Sequence, residues 1–283
     1  MIKRIIYIIK RIIYKIMTFF NSIRDRRRIR TFGRSRKQDC QALTLLKDKH
    51  KGERCFILGN GPSLNKCDLT LLKNEISFAV NNIYYKTQET GYRPSYYMVE
   101  DNHVLKENFY AINNYRCDVK FFPENYRNKE ALPDQSTIFI PMDCGFYREG
   151  HPYYQIPRFS RDVSREVFAG QSVTIMQLQM AFYLGFSEVY LIGMDFSYDV
   201  PKSTVIDGVC YHSQENDPNH FHPNYFGKGK IWHNPRLDLV LESYKKCKEE
   251  FESDGRKILN ATVGGKLELF ERVDYQSIFV SKK

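Results

Sequence analysis

The sequence predicts an α/β fold, a single mostly parallel sheet flanked by helices with a site along one edge. Short apolar runs such as Phe56-Ile57-Leu58 and Tyr190-Leu191-Ile192 show no polar alternation, as in strands buried on both faces. Helical patterns stand between such runs, which is the order of a parallel sheet. Loops between these elements carry Gly, Asn, Asp and Ser, as in Gly59-Asn60-Gly61, Asn81-Asn82 and Gly193-Met194-Asp195, residues that turn the chain where open α/β sheets bind ligands.

The chain has 283 residues, enough for one large α/β domain or two small ones, and 42% hydrophobic content can fill a core. Its formal charge is +10, unevenly spread. Residues 1–37 hold thirteen Lys and Arg against Asp25 alone, leaving thirty basic and thirty-two acidic residues in the remainder. The globular part, residues 38–283, is therefore near neutral, and no nucleic-acid partner is expected. Seven cysteines stand singly without a Cys-x-x-Cys pair. That argues against a disulfide framework or a cysteine zinc site and fits a reducing cytosol.

The first twenty residues separate cleanly on a helical wheel. Ile2, Ile5, Ile9, Ile12, Ile16 and Phe20 fall on one face, and Lys3, Arg4, Lys10, Arg11 and Lys15 on the other. No apolar run approaches the roughly 20 residues needed to span a bilayer. Cations interrupt the hydrophobic stretch, and no small-residue cleavage site comes after it, which argues against a signal peptide. An amphipathic helix in the membrane interface is expected, with the arginine run from Arg24 meeting anionic headgroups. The alternative is a helix docked on the protein's own core or on a partner. The expected location is cytoplasmic, peripheral at the inner face of the plasma membrane.

After a helix over 41–51, the first strand ends in Gly59-Asn60-Gly61-Pro62-Ser63-Leu64. Glycine permits a sharp turn and close approach of a ligand, and Ser63 could cap a helix or turn after the loop. No Gly-Lys-Ser/Thr is present there, so this is not a P-loop, and Pro62 breaks the dinucleotide fingerprint. A helical turn over 68–72 precedes a strand over 76–80 that stops at Asn81-Asn82, a pair that can fill a turn or meet a nucleobase. Strands over 96–99, 119–122 and Thr137–Ile140 come next, the first ending in Glu100-Asp101, with a helix over 104–111. Residues 123–171 are expected as irregular loops or a lid. A helix over 172–186 stops at glycine, the strand Glu188–Ile192 ends in Gly193-Met194-Asp195, and residues 199–234 are again irregular. The helix Leu237–Glu252 and a strand over 256–260 complete the pattern.

The loop Gly59-Asn60-Gly61-Pro62-Ser63-Leu64, with Asn81 after it, resembles the nucleotide half of the bacterial sialyltransferases that decorate lipooligosaccharide. Residues 172–196 are similar to their second nucleotide-contacting element. The same two blocks resemble the domain named after the MptE pterin diphosphokinase and the motility-associated factors that glycosylate flagellin with nonulosonic acids. Asn219-His220-Phe221, Tyr225-Phe226-Gly227-Lys228-Gly229 and Asn260-Ala261-Thr262-Val263-Gly264-Gly265 are most like a polysaccharide-biosynthesis branch of the MptE-named group. The likeness spans about residues 54–275 and implies a Rossmann-like domain. It implies that Gly59, Asn60, Gly61, Ser63, Asn81, Asp101 and Asp195 surround a cytidine nucleotide, with Ser172 and Thr174 at its phosphate or sugar. His233, five residues before Asp238 as in the sialyltransferases, becomes the general base, and Tyr198 and Tyr211 the nearest matches to two tyrosines on the leaving phosphate. Glu100 or Asp101 stands where those enzymes have an asparagine, a departure that bears on the donor sugar.

The function so implied is an inverting transferase of cell-envelope polysaccharide synthesis, moving a sugar from a CMP donor to a glycan or lipid-linked acceptor. Such chemistry needs a base of near-neutral pKa and donors aimed at a departing phosphate. It needs no metal, and no Asp-x-Asp triad is present. His-x-His at 220 and 222 could bind a metal or be loop residues; no metal site is expected. Gly227-Lys228-Gly229-Lys230 could clamp a phosphate or be a solvated turn. The alternatives are an ATP- and Mg²⁺-dependent pterin diphosphokinase, and a non-catalytic nucleotide-binding partner in envelope assembly.

Overall fold

A computed structural model describes residues 37–280, so the expected tail helix lies outside the described residues. Among the described residues, no helix is long and apolar enough to cross a membrane. The strands are β1 (Arg54–Leu58), β2 (Ser77–Val80), β3 (Tyr96–Met98), β4 (Val119–Pro123), β5 (Thr137–Ile140), β6 (Met142–Asp143) and β7 (Val167–Phe168). They continue as β8 (Glu188–Ile192), β9 (Val205–Asp207), β10 (Cys210–His212), β11 (Ile231–His233), β12 (Lys257–Asn260) and β13 (Glu271–Arg272). The helices are α1 (Lys37–Leu46), α2 (Tyr84–Thr90), α3 (Asn102–Glu107), α4 (Phe109–Asn113), α5 (Val173–Leu184) and α6 (Leu237–Glu252).

Eight strands form one sheet in the order β13-β12-β8-β1-β2-β3-β4-β5, and every neighbouring pair is parallel. Successive residues of a strand point to opposite faces, so a strand covered on both sides must be apolar throughout. In β1, Cys55 and Ile57 enter one core while Phe56 and Leu58 enter the other. Val189 and Leu191 of β8 face the first core, and Tyr190 and Ile192 the second. Helices α1, α5 and α6 cover the first face. Nearly all of α5 is buried, which explains why its sequence is apolar all round. Ser172 caps its start, accepting a hydrogen bond from the Thr174 amide, and Gly185 ends it in the left-handed region.

From β1 the chain adds β2 to β5 outward on one side, then returns to place β8, β12 and β13 on the other. This reversal opens a crevice at the carboxyl ends of β1 and β8, where such sheets hold ligands.

Three local features depart from the sequence reading. The helix over 104–111 is two helices, α3 and α4, broken at Asn108. The Asn108 side chain returns a hydrogen bond to the Val104 carbonyl and accepts from the Tyr84 hydroxyl and the Lys230 ammonium, competing with the helical backbone. Within 199–234, β9, β10 and β11 form a three-stranded antiparallel sheet. Its hairpin turns at Gly208-Val209, with Gly208 at φ 58°. Within 123–171, β6 and β7 pair beside the crevice. All seven cysteines are free thiols.

The 217–226 loop closes over the crevice and is organised by Asp217. This buried carboxylate accepts from the Asn219 amide (2.8 Å), His220 Nδ1 (2.7 Å) and the Phe226 amide (2.8 Å). Burial works against its ionisation, but the His220 bond and the two amides prevail and hold its carboxyl below the usual range. Asp217→Ala should cost about 3 kcal/mol, since bonds to a buried charge are each worth roughly 1.5–3. Urea unfolding at pH 7 measures this. The wild-type contribution is full above the unfolded Asp pKa of about 3.9 and fades as pH falls through the lower folded value. The difference between the two proteins should therefore shrink only in acid.

Candidate active site at the carboxyl ends of β1 and β8

The loops after β1 and β8 touch backbone to backbone. The Gly59 amide donates to the Ile192 carbonyl (2.7 Å) and the Gly61 amide to the Gly193 carbonyl (3.0 Å). A Cβ on Gly59 would lie 2.4 Å from the Gly193 oxygen, and one on Gly61 1.9 Å from Asp195 Oδ2. Glycine is needed here because two loops share one space. Ser63 lies inside the 3₁₀ helix Pro62–Lys66 and does not cap it. Its amide (3.2 Å) and hydroxyl (2.6 Å) instead donate to Asp195 Oδ2. Asp195 thus ties the two loops together.

Above this junction is a cavity of about 620 Å³. Of the sequence-predicted residues, Gly59, Asn60, Gly61, Asn81, Asp101, Ser172, Thr174, Asp195, Tyr198 and His233 border it. Ser63 and Tyr211 do not. Ser63 is buried against Asp195, and Tyr211 sets its ring edge on Trp232 with centroids 4.8 Å apart. Tyr198 lies with its hydroxyl 3.5 Å from His220 Nε2, and burial raises its pKa.

His233 stands at the end of β11 with its Nδ1 2.8 Å from Asp101 Oδ2. The other oxygen of Asp101 accepts from the His103 (2.7 Å) and Val104 (3.3 Å) amides at the start of α3. One carboxylate therefore caps a helix and orients an imidazole. The bond to Asp101 raises the His233 pKa above its ordinary value, against the effect of burial. Burial opposes the charge on Asp101, but the His233 bond, with the helix amides, holds its carboxyl low. Next to it, burial pushes Glu100 up to about 7, with the Tyr147 hydroxyl donating to it at 2.8 Å in opposition. With Glu100 near half ionised at neutral pH, the two adjacent acids thus bring less than two full negative charges.

Asn60 donates through Nδ2 to the Val80 carbonyl (3.1 Å) and the Tyr225 hydroxyl (2.7 Å). The side-chain oxygens of Asn60 and Asn81 are buried without hydrogen-bond partners among the described residues. Such acceptors are costly unless a ligand's N–H or O–H satisfies them. Ser172, Val173 and Thr174 place the N-terminus of α5 in the wall, a favourable position for an anion. Among the described residues, Arg236 is the single Lys or Arg in the lining.

The two histidines of the His-x-His pair have separate packing roles. His220 bonds Asp217 and stacks on Tyr225 at 4.0 Å, while His222 stacks on Tyr85 at 4.1 Å. A Mg²⁺ ion needs a set of oxygen ligands. Asp101 and Asp195 are already engaged as described, so the cavity does not assemble such a set among the described residues.

Sequence reasoning missed Tyr147, Tyr225, Trp232 and His103. Tyr147 lies in a stretch without periodicity, and Tyr225 reaches Asn60 from a loop held by Asp217 and by the Asn65 and Asn82 side chains. His103 carried no motif at all.

The family model described as 6-hydroxymethylpterin diphosphokinase MptE-like matches residues 34–200. Among solved structures, the MAf glycosyltransferase from Magnetospirillum magneticum AMB-1 is similar at 15% identity and TM-score 0.45, over 82% of this chain. The match covers 35% of that protein, so the chain spans about a third of its length. No curated protein matches the chain.

Proposed function

We propose that this chain, which belongs to the MptE-like family, is an inverting glycosyltransferase that moves a sugar from a CMP donor to a hydroxyl of an envelope glycan. The observation that carries this reading is the His233–Asp101 pair in the wall of the cavity. Asp101 holds the Nδ1 proton, which leaves Nε2 as the lone pair that accepts a proton from the acceptor hydroxyl. The acceptor oxygen then bonds to the anomeric carbon as the bond to the CMP phosphate breaks, and the electron pair leaves with the phosphate. Ser172, the first amides of α5 and Tyr198 are the donors for that departing charge.

The cavity volume lies in the range of small-molecule sites and accommodates a nucleotide sugar. Among the described residues, one bordering Arg and no Lys suit a monophosphate leaving group better than a triphosphate. The unpartnered oxygens of Asn60 and Asn81 can accept N–H or O–H groups of a nucleoside. The donor sugar we assign, a nonulosonic acid, rests on the sequence resemblance. The family description favours a second reading, pyrophosphate transfer from ATP to a hydroxymethylpterin. It requires Mg²⁺, for which the carboxylates are poorly disposed.

Thermal shift with CMP, CDP, UDP and ATP, each with and without Mg²⁺, separates the readings. CMP at a hundredfold excess over its Kd should stabilise the protein by about 2.7 kcal/mol without metal. Stabilisation by ATP with Mg²⁺ alone would reject the first reading.

We place the acceptor at an anionic membrane surface, on the cationic amphipathic pattern of residues 1–37. The full chain should sediment with vesicles rich in phosphatidylglycerol and remain in the supernatant once residues 1–37 are deleted. Equal sedimentation of both forms would count against the anchor.

A further inference from the structure

We propose that His103, Cys210 and His233 form a binding site for one Zn²⁺ ion beside the cavity, which His233 borders and the other two do not. Their donor atoms lie within 4.8 Å of one another. Cys210 and His233 are direct partners across the antiparallel β10–β11 ladder, so both side chains leave the same face of that small sheet. His103, in the first turn of α3, brings its ring to 5.0 Å from that of His233, between centroids. The helix and the ladder are fixed to each other. The Ile231 amide donates to Glu107 at 2.9 Å, and His233 binds Asp101 immediately before α3. Neither the Cys210 thiol nor the His103 ring has another hydrogen-bond partner among the described residues.

A zinc-bound histidine almost always gives its other ring nitrogen to a carboxylate or carbonyl. His233 does so to Asp101 through Nδ1, which leaves Nε2 for the ion. Two imidazoles and one thiolate suit Zn²⁺ or Co²⁺ and not the oxygen-seeking Mg²⁺ or Ca²⁺. With Zn–N of about 2.0 Å and Zn–S of about 2.3 Å, tetrahedral ligand edges are roughly 3.3–3.8 Å. The donors must close by about 1 Å, so the Cys210, His103 and His233 side chains would draw together on binding. Three protein ligands leave a fourth position open to the cavity.

One consequence rests on the proposed function. The ion would occupy the lone pair that His233 needs as a base, so bound Zn²⁺ would switch transfer off. The binding itself does not depend on that reading.

Co²⁺ titrated into the metal-stripped full chain is the test. One equivalent should produce a thiolate-to-cobalt charge-transfer band in the near ultraviolet and tetrahedral bands in the visible, both bleached by one equivalent of Zn²⁺. Cys210→Ser should abolish the charge-transfer band, and His103→Ala should weaken Co²⁺ binding at least tenfold. Asp101→Asn should weaken it about 10- to 100-fold through the second shell. Cys117→Ser, a thiol remote from these ligands in sequence, should leave the band unchanged. Absence of the band at stoichiometric Co²⁺, or its survival in Cys210→Ser, overturns the site. If the bands appear as expected while stoichiometric Zn²⁺ leaves transfer unaffected, the site stands and the base assignment falls.

Discussion

Asp101→Asn should lower kcat for transfer about a hundred- to ten-thousand-fold while leaving KM and the unfolding midpoint nearly unchanged. The prediction comes from the way the carboxylate divides its work. Its Oδ1 accepts from the amides of His103 and Val104, and its Oδ2 holds His233 Nδ1. In the variant, the amide oxygen can keep the helix cap, which places the NH₂ group against the imidazole. An NH₂ donates and cannot accept, so Nδ1 must carry the lone pair and Nε2 the proton. The base then faces the acceptor hydroxyl in the wrong tautomer. Geometry and packing survive, and proton transfer does not. His233→Ala should produce a loss of similar size, because both changes remove the same lone pair. The double variant should be hardly worse than either single one, as for residues that act as a unit. A KM effect in place of a kcat effect would assign Asp101 to donor binding, and unaltered kcat would remove His233 from the chemistry. The assay needs a CMP-sugar donor that the CMP thermal shift has first shown to bind.

Much of this frame is legible in the sequence because it rests on short-range rules. A parallel strand buried on both faces must be apolar throughout, so Arg54–Leu58 and Glu188–Ile192 stand out. The ends of those strands must turn sharply, so Gly59-Asn60-Gly61 and Gly193 stand out too. Which strand lies beside which is not local, yet the switch between β1 and β8 can be inferred once both are known to carry glycine loops. His233 is visible through the family spacing to Asp238. Asp238 itself, however, pairs with Arg236 on the surface and takes no part in the cavity. The partner that orients the base is Asp101, 132 residues away in sequence. Nothing local distinguishes it from Glu100, and the contact arises only when β11 is laid against α3.

The three-stranded sheet was obscured for a different reason. Its strands are three residues each, below the length at which alternation can be counted, and β9 is exposed throughout. The Asp207-Gly208 pair was the available signal, since Asp-Gly between extended segments marks a tight hairpin. Asp217 and Tyr225 lie in a Pro-containing stretch where an acid, three aromatics and two histidines make no periodic pattern. Their order comes from hydrogen bonds to one buried carboxylate, which no residue spacing encodes.

Gly59→Ala and Gly61→Ala should both destabilise the fold strongly, but they should differ in whether a second change can relieve them. Overpacked sites cost roughly 1–3 kcal/mol and occasionally more, so about 3 kcal/mol is expected for each. For a domain of this size, that lowers Tm by roughly 6–12 °C. The methyl group of Gly61→Ala meets a side chain, Asp195, at 1.9 Å from Oδ2. Displacing that carboxylate deprives the Ser63 amide and hydroxyl of their acceptor. Asp195→Ala alone should cost about 2 kcal/mol through the same lost bonds. In the double variant the closest clash has gone, leaving the Gly193 oxygen at 2.9 Å, and the bonds can be lost only once, so the cost should fall short of the sum, with a coupling of about 1–2 kcal/mol. The methyl group of Gly59→Ala meets backbone, the Gly193 oxygen at 2.4 Å, together with Met194 Sδ at 2.6 Å. Trimming Met194 cannot move the Gly193 carbonyl, so Gly59→Ala should add almost fully to Met194→Ala. Urea unfolding of these two cycles, with CMP binding read on each protein that folds, separates a junction of side chains from a junction of backbones. Additivity in the Gly61–Asp195 cycle would mean that Asp195 does not tie the two loops together.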